Sequence, residues 1–396
     1  MYIYKLPTFF KSFLLVMLSL SLSLFVAEFV AGWIFADTRV GLAKKFGVEY
    51  DDRSRLQVVL DCRKTNQSCF PSVPPSTFIV NGLKLADSVL LPLSGVANAT
   101  VIGCNESGYF STYDSDKFGF RNPSASWLNS EPIDLAFVGD SYTVGDCVNE
   151  GEGFADKLRE AFPRVVNLAH GGNGPLFELA TIKEYLSGRQ VRFVFWVYFE
   201  RNDLSDIERD KNVETLINYL EPNFTQDLVI KHDKINAAMR DYVNNRIETK
   251  EHGRAKVFPN LRQVFWKIRN RKSKSIDTHK SNNVVNYDLP MFQEILVSAK
   301  QKVEESGGQL VFVYLPEYER FNSEVQRASW SASRIKGEVV DLVNSLGIDL
   351  IDIEPAFQMV EDPLDLFPFR IQGHYNERGN SIVASEIQKY LSSHQN

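Results

Sequence analysis

The sequence predicts an α/β protein in three layers: a parallel five-stranded sheet with helices on both faces, preceded by a transmembrane helix and a small irregular pre-domain. Three observations lead there. From about residue 131 onward, short apolar runs alternate with patterns of helical period. Those runs are apolar on both faces, as strands covered from both sides must be. A long apolar stretch follows Lys5 and Lys11 near the N-terminus.

In chain order, residues 1–12 read as a cytoplasmic tail and 13–35 as the transmembrane helix. Glu28 interrupts that stretch. An acid costs roughly 3 kcal/mol at a helix centre, but each Leu, Phe or Val returns about 0.3–0.6 kcal/mol, and the apolar residues prevail. A cleaved signal peptide is the competing reading, and no good small-residue cleavage site follows the run. Either way, the remainder is expected outside the cytoplasmic membrane, periplasmic or extracellular, with the basic N-terminus inside. Residues 36–130 form the extracytoplasmic pre-domain. It is Pro-rich at 71–75, has strand-like runs at 78–80 and 89–93, and shows no chemistry of its own.

The domain proper spans 131–396. Strands are expected at 133–138, 165–169, 191–199, 309–315 and 348–353. Helices are expected at 154–162, 176–186, 291–305, 333–346 and about 376–392. The segment 204–290 is too long for a plain loop and should carry helices. Within it, Leu261, Val264, Phe265 and Ile268 recur at helical spacing among many basic residues, so a basic amphipathic helix is expected there.

Composition bounds the function. A chain of 396 residues with 44% hydrophobic residues is globular rather than disordered, and a net charge of -6 gives no sign of nucleic-acid binding. The cysteines are Cys62, Cys69, Cys104 and Cys147. Outside the cytoplasm an even set suggests disulfides. Of the three possible pairings, Cys104–Cys147 with Cys62–Cys69 is expected, because it would tie the pre-domain to the rim of the site. The remaining histidines, His232, His252, His279 and His394, show no ligand spacing, so neither a metal nor another cofactor is expected.

The chemistry lies in four blocks, each just beyond a strand or before the last helix. Gly139-Asp-Ser-Tyr-Thr-Val-Gly145 follows the first strand, and a serine at such a turn exposes its hydroxyl above the sheet edge. Asn167-Leu-Ala-His-Gly-Gly-Asn-Gly-Pro175 follows the second strand and Glu200-Arg-Asn-Asp203 the third. Gly373-His-Tyr-Asn-Glu-Arg-Gly379 precedes the last helix. Acyl transfer needs a nucleophile, a base and donors for the oxyanion. Ser141, His374, and the Ser141 N–H, Gly172 N–H and Asn202 amide would supply them. Asp140 and Asp203 read as hydrogen-bonding supports of their loops. His170 lies beside the oxyanion loop.

These blocks, in this order, resemble the SGNH (GDSL-like) hydrolases over residues 131–393. The strings Cys104-Asn-Glu-Ser-Gly-Tyr109, Gly119-Phe-Arg-Asn-Pro123 and Gly171 to Ala180 also look like a membrane-anchored bacterial envelope subgroup. The resemblance implies a flavodoxin-like fold, Ser141 as nucleophile, Gly172 and Asn202 in the oxyanion hole, His374 as base, and an acyl-ester substrate on a glycan or lipid. The leading expectation is an esterase acting on O-acyl groups of envelope glycans. The alternatives are an O-acyltransferase with the same site and a non-catalytic glycan-binding or assembly protein. One departure stands out. The family's usual acid, two or three residues before the histidine, is replaced by Gln372 and Ile371. A backbone carbonyl within 368–372 is therefore expected behind His374, with Asp362 or Asp365 as the rival.

Overall fold

The computed structural model describes residues 8–34, 38–127, 132–251, 287–322 and 330–394. They fall into two compact units, one within Met1–Val48 and Thr249–Val285, the other Glu49–Glu248 with Asn286–Asn396. In the first, a helix runs from Thr8 to Ile34. Its stretch Ser12–Ala31, with mean hydropathy 2.3, is long and apolar enough to cross a membrane, a property that signal sequences share. A helix satisfies its own backbone polar groups, as hydrocarbon requires.

The second unit begins with the pre-domain, whose strands are short: β1 (Cys69–Pro71), β2 (Leu83–Lys84), β3 (Val89–Leu90), β4 (Thr100–Ile102) and β5 (Thr112–Asp114). β4 pairs parallel with β1 and antiparallel with β5. The run expected as a strand at 78–80 differs: Pro75–Phe78 is a 3₁₀ turn. Proline at its start presets the helical φ, and Phe78 is buried by the turn.

Five parallel strands follow: β6 (Ile133–Val138), β7 (Val165–Asn167), β8 (Val191–Phe199), β9 (Gln309–Leu315) and β10 (Asp349–Asp352). Their order is β10-β9-β8-β6-β7. Counted among themselves this is the doubly wound 2-1-3-4-5 arrangement, whose reversal lies at β6 and places ligands at the carboxyl ends of the strands. Alternating side chains build two cores. Ala136, Val138, Trp196, Tyr198 and Phe312 face one, which also buries Leu179, Phe292 and Val339 from three helices. Leu135, Phe137, Phe195 and Val313 face the other, with Phe154, Phe357 and Ile387. Val59, Phe70, Phe118 and Trp127 of the pre-domain belong to the first core. The pre-domain is thus packed into the α/β layers by apolar burial.

The segment after β8 carries helices at Asp203–Asp210, Glu214–Asn218 and His232–Glu251. The basic pattern around Leu261–Ile268 lies outside the described residues.

Candidate active site

β6 ends at Val138, and the chain turns at once into a one-turn helix, Ser141–Val144. Gly139 makes this possible: a Cβ there would stand 2.1 Å from Thr143 Oγ1 and 2.9 Å from the Val197 carbonyl. Asp140 caps the turn, accepting the Tyr142 N–H at 2.9 Å. Ser141 therefore starts the helix at the carboxyl end of β6, an interior strand next to the point where the strand order reverses.

His374 reaches the same point from the loop before the helix Glu377–Ser393. Its Nε2 lies 2.8 Å from Ser141 Oγ. Tyr142 holds this loop by donating its hydroxyl to the Gly373 carbonyl at 2.9 Å. The Tyr142 ring stacks on Phe199 at 3.8 Å and touches the imidazole at 4.9 Å.

Behind the ring the structure departs from expectation. No carbonyl of 368–372 meets Nδ1, and Asp362 and Asp365 both pair with Arg370 instead. The neighbours of Nδ1 are Glu106 Oε2 at 3.3 Å and Cys147 Sγ at 3.4 Å. The same Oε2 accepts the His374 backbone N–H at 2.7 Å. Burial pulls the His374 pKa down. The hydrogen bond and charge of Glu106, with the charges of Asp146 and Asp140, outweigh it, and the net shift is upward. The pre-domain, expected to hold no chemistry, thus places a carboxylate in the site.

Both expected cysteine pairs are disulfides, Cys62–Cys69 and Cys104–Cys147, with Cα atoms 6.0 and 4.9 Å apart. The sulfur beside His374 is therefore no thiolate and no metal ligand.

The remaining expected donors divide. Gly172 sits at φ +77°, and a Cβ on it would come 3.1 Å from Ser76 Oγ of the pre-domain. A Cβ on Gly171 would lie 3.7 Å from Ser141 Cβ, so this loop borders the serine. The Gly172 N–H has no partner among the described residues. The Asn202 amide, by contrast, is engaged: Nδ2 donates to Asp206 Oδ2 at 2.8 Å and to Asp140 Oδ2 at 3.3 Å. Asp203 is fully buried and accepts the Phe199 N–H at 2.9 Å. His170 is buried against Gly95, and burial lowers its pKa.

No protein-family model matches the sequence, and no curated protein matches it significantly. Solved structures do. TesA is 12% identical with a TM-score of 0.35, covering 65% of this chain and 97% of that one. An acetyl xylan esterase is 14% identical at 0.33, covering 65% and 99%. The psychrotrophic esterase EstA from Pseudoalteromonas is 9% identical at 0.30, covering 66% and 99%. Likenesses this distant carry no argument about activity. The strand order, the serine turn after β6 and the late histidine loop decide the architecture. The fold is a doubly wound α/β sheet with a serine turn after β6 and a histidine loop before the last helix.

Within this site, Glu106 is the residue that sequence reasoning passed over. A signal was present: Glu106 lies two positions after Cys104, and the expected bridge to Cys147 already drew that loop towards Ser141.

Next to His374, a cleft of about 300 Å³ is lined by Tyr142, Phe199, Arg201, Glu317, Tyr318 and Glu319, among others. Arg201 pairs with Glu319 and lies 3.7 Å from Glu317. Burial, reinforced by Glu319 and Glu200, pushes Glu317 up to about 7.

Proposed function

We propose that the protein is a serine ester hydrolase that removes ester-linked acyl groups outside the cytoplasmic membrane, the O-acyl groups of envelope glycans foremost. The observation that carries this is the 2.8 Å contact between Ser141 Oγ and His374 Nε2 at the carboxyl end of β6. His374 takes the Ser141 proton as Oγ attacks the acyl carbon. The tetrahedral oxyanion draws on the N–H groups of Ser141 and Gly172. Asn202 joins them by exchanging its long 3.3 Å bond to Asp140 for the oxyanion. As the ester C–O bond breaks, the imidazolium returns its proton to the leaving oxygen. Water then repeats the sequence on the acyl-enzyme.

Two disulfides support a location outside the reducing cytoplasm, with the helix Thr8–Ile34 as a single-pass anchor and its N-terminus inside. Ring faces and paired polar groups in the cleft beside His374 suit a hydroxylated ligand, which supports the glycan reading. A non-catalytic role drew its support from the missing acid at 371–372, and Glu106 weakens that support.

The test is hydrolysis of an activated acyl ester and labelling by a fluorophosphonate probe, with Ser141→Ala as control. Both are expected to fall to background, a loss on the order of 10⁶ in turnover. Undiminished hydrolysis by Ser141→Ala would remove the proposal. Acyl transfer to an added sugar, measured on the products, would reassign the chain as an acyltransferase.

A further inference from the structure

We propose that Glu106 of the pre-domain is the positioning acid of His374, so that the segment before the α/β domain completes the catalytic machinery. The inference rests on the Ser141–His374 reading and adds the third member, which the loop before His374 lacks.

The geometry is specific. One carboxylate oxygen takes the His374 backbone N–H at 2.7 Å and stands 3.3 Å from Nδ1 of the same residue. An anion at Nδ1 keeps the proton on that nitrogen and leaves Nε2 free to accept from Ser141. It also stabilises the imidazolium formed during attack. Catalytic contacts of this kind are often long or poorly aligned before substrate binds and tighten in the complex.

Glu106 is held on both flanks by the elements that carry the pair it serves. On one side, Cys104 is bonded to Cys147, in the loop just after the Ser141 turn. On the other, the Tyr109 hydroxyl donates to Glu377, at the start of the helix that follows His374. Between them Asn105 Oδ1 accepts the Gly108 N–H at 3.0 Å, and its amide donates to the Asp51 carbonyl at 2.8 Å. A loop fixed at both ends and braced in the middle is what precise placement of a carboxylate requires.

The nearest alternative is a structural role, in which Glu106 merely accepts the His374 backbone N–H. Glu106→Gln separates the two, because an amide oxygen still accepts that hydrogen bond but brings no charge to Nδ1. The other groups named around His374 stay in place: Asp140 and Asp146 near the Ser141 turn, and Tyr142, Arg201, Glu317, Tyr318 and Glu319 along the cleft.

The experiment uses the full-length protein in detergent micelles with ¹⁵N-labelled histidine. The pKa of His374 is read by NMR, assigned with His374→Gln, and kcat/KM is followed against pH. In Glu106→Gln the His374 pKa is expected to fall, and kcat to drop on the order of 10²–10⁴-fold with KM little changed. Glu106→Asp should recover part of the loss. A His374 pKa unmoved by Glu106→Gln overturns the proposal, whether or not the protein hydrolyses the test ester. So does a kcat within about threefold of wild type. Serine-independent hydrolysis would instead defeat the Ser141 reading, and the NMR titration would still decide the place of Glu106.

Discussion

Two sets of carboxylates border the Ser141 turn, and different partners hold them. On the His374 side, Glu106 faces an imidazole and a backbone N–H. On the Asn202 side, Asp140 and Asp206 share one amide nitrogen, while Glu178 and Asp203 lie deeper and fully buried. Among the described residues, Glu178 has no hydrogen-bond partner on either oxygen. Arg209 pairs with Asp206 and Asp210. Burial pushes Asp140 and Asp210 up to about 6, and Glu178 and Asp203 well above the usual carboxylate range. A carboxylate facing an imidazole raises its partner's pKa, whereas buried acids crowded together have their own pKa values raised. One side acts through charge on its partner, whereas on the other burial drives Glu178 and Asp203 towards the neutral form.

The largest break in that comparison should come from cutting the tether of the first side. Replacing Cys104 and Cys147 by Ser opens a loop of sequence separation 43. Chain-entropy reasoning puts the loss near 4 kcal/mol. Thermal unfolding should show it, and hydrolysis should fall with it because Glu106 loses its hold. The same change at Cys62 and Cys69, separation 7, should cost about 2.5 kcal/mol and leave turnover near wild type. Equal losses of turnover from both pairs would show that the bridge beside His374 has no special part.

On the other side, Asn202→Ala should lower kcat by about 10²–10³, the usual cost of one oxyanion donor. A rate within a factor of about three of wild type would mean that Asn202 stays with Asp140 and Asp206 throughout.

The smallest effect is expected from Glu178→Gln. A carboxyl whose folded pKa is raised contributes stability that is complete below its unfolded pKa, about 4.3. That contribution is lost as pH rises through the folded value. The glutamine has no proton to lose, so its advantage over wild type should grow from pH 5 to pH 8. Calorimetry should find it near 1–2 °C, roughly what about 1 kcal/mol is worth in a unit of about 310 residues. A Tm difference independent of pH would place a charge-compensating partner beside Glu178.

Local pattern was a sound guide where it governs the chain. β6, β8 and β9 begin and end at the residues their apolar runs indicate, since their interiors are buried on both faces and only Asp134, Arg192 and Gln309 at their starts are polar or charged side chains that are not buried. β7 stops at Asn167 rather than 169, where the side chain turns to bond Thr143 O at 2.8 Å. The pre-domain was far less legible. Its strands have two or three residues, too few for periodicity to register, and its turns are set by prolines and disulfides.

The sequence by itself determined the layered α/β plan, the turn that presents Ser141 and the arrival of His374 before the last helix. Hydrophobic period and turn chemistry act over a few residues, and the handed, doubly wound order then gathers the strand ends. Only the tertiary structure decided what stands behind His374. Glu106 is 268 residues away, and no local rule connects them. Their meeting depends on pre-domain packing and on a covalent bridge across 43 residues. Tertiary packing also decided that the Asn202 amide rests between Asp140 and Asp206 and that His170 is buried under Gly95. Side-chain partners across a folded surface depend on distances through space, which spacing along the chain does not carry.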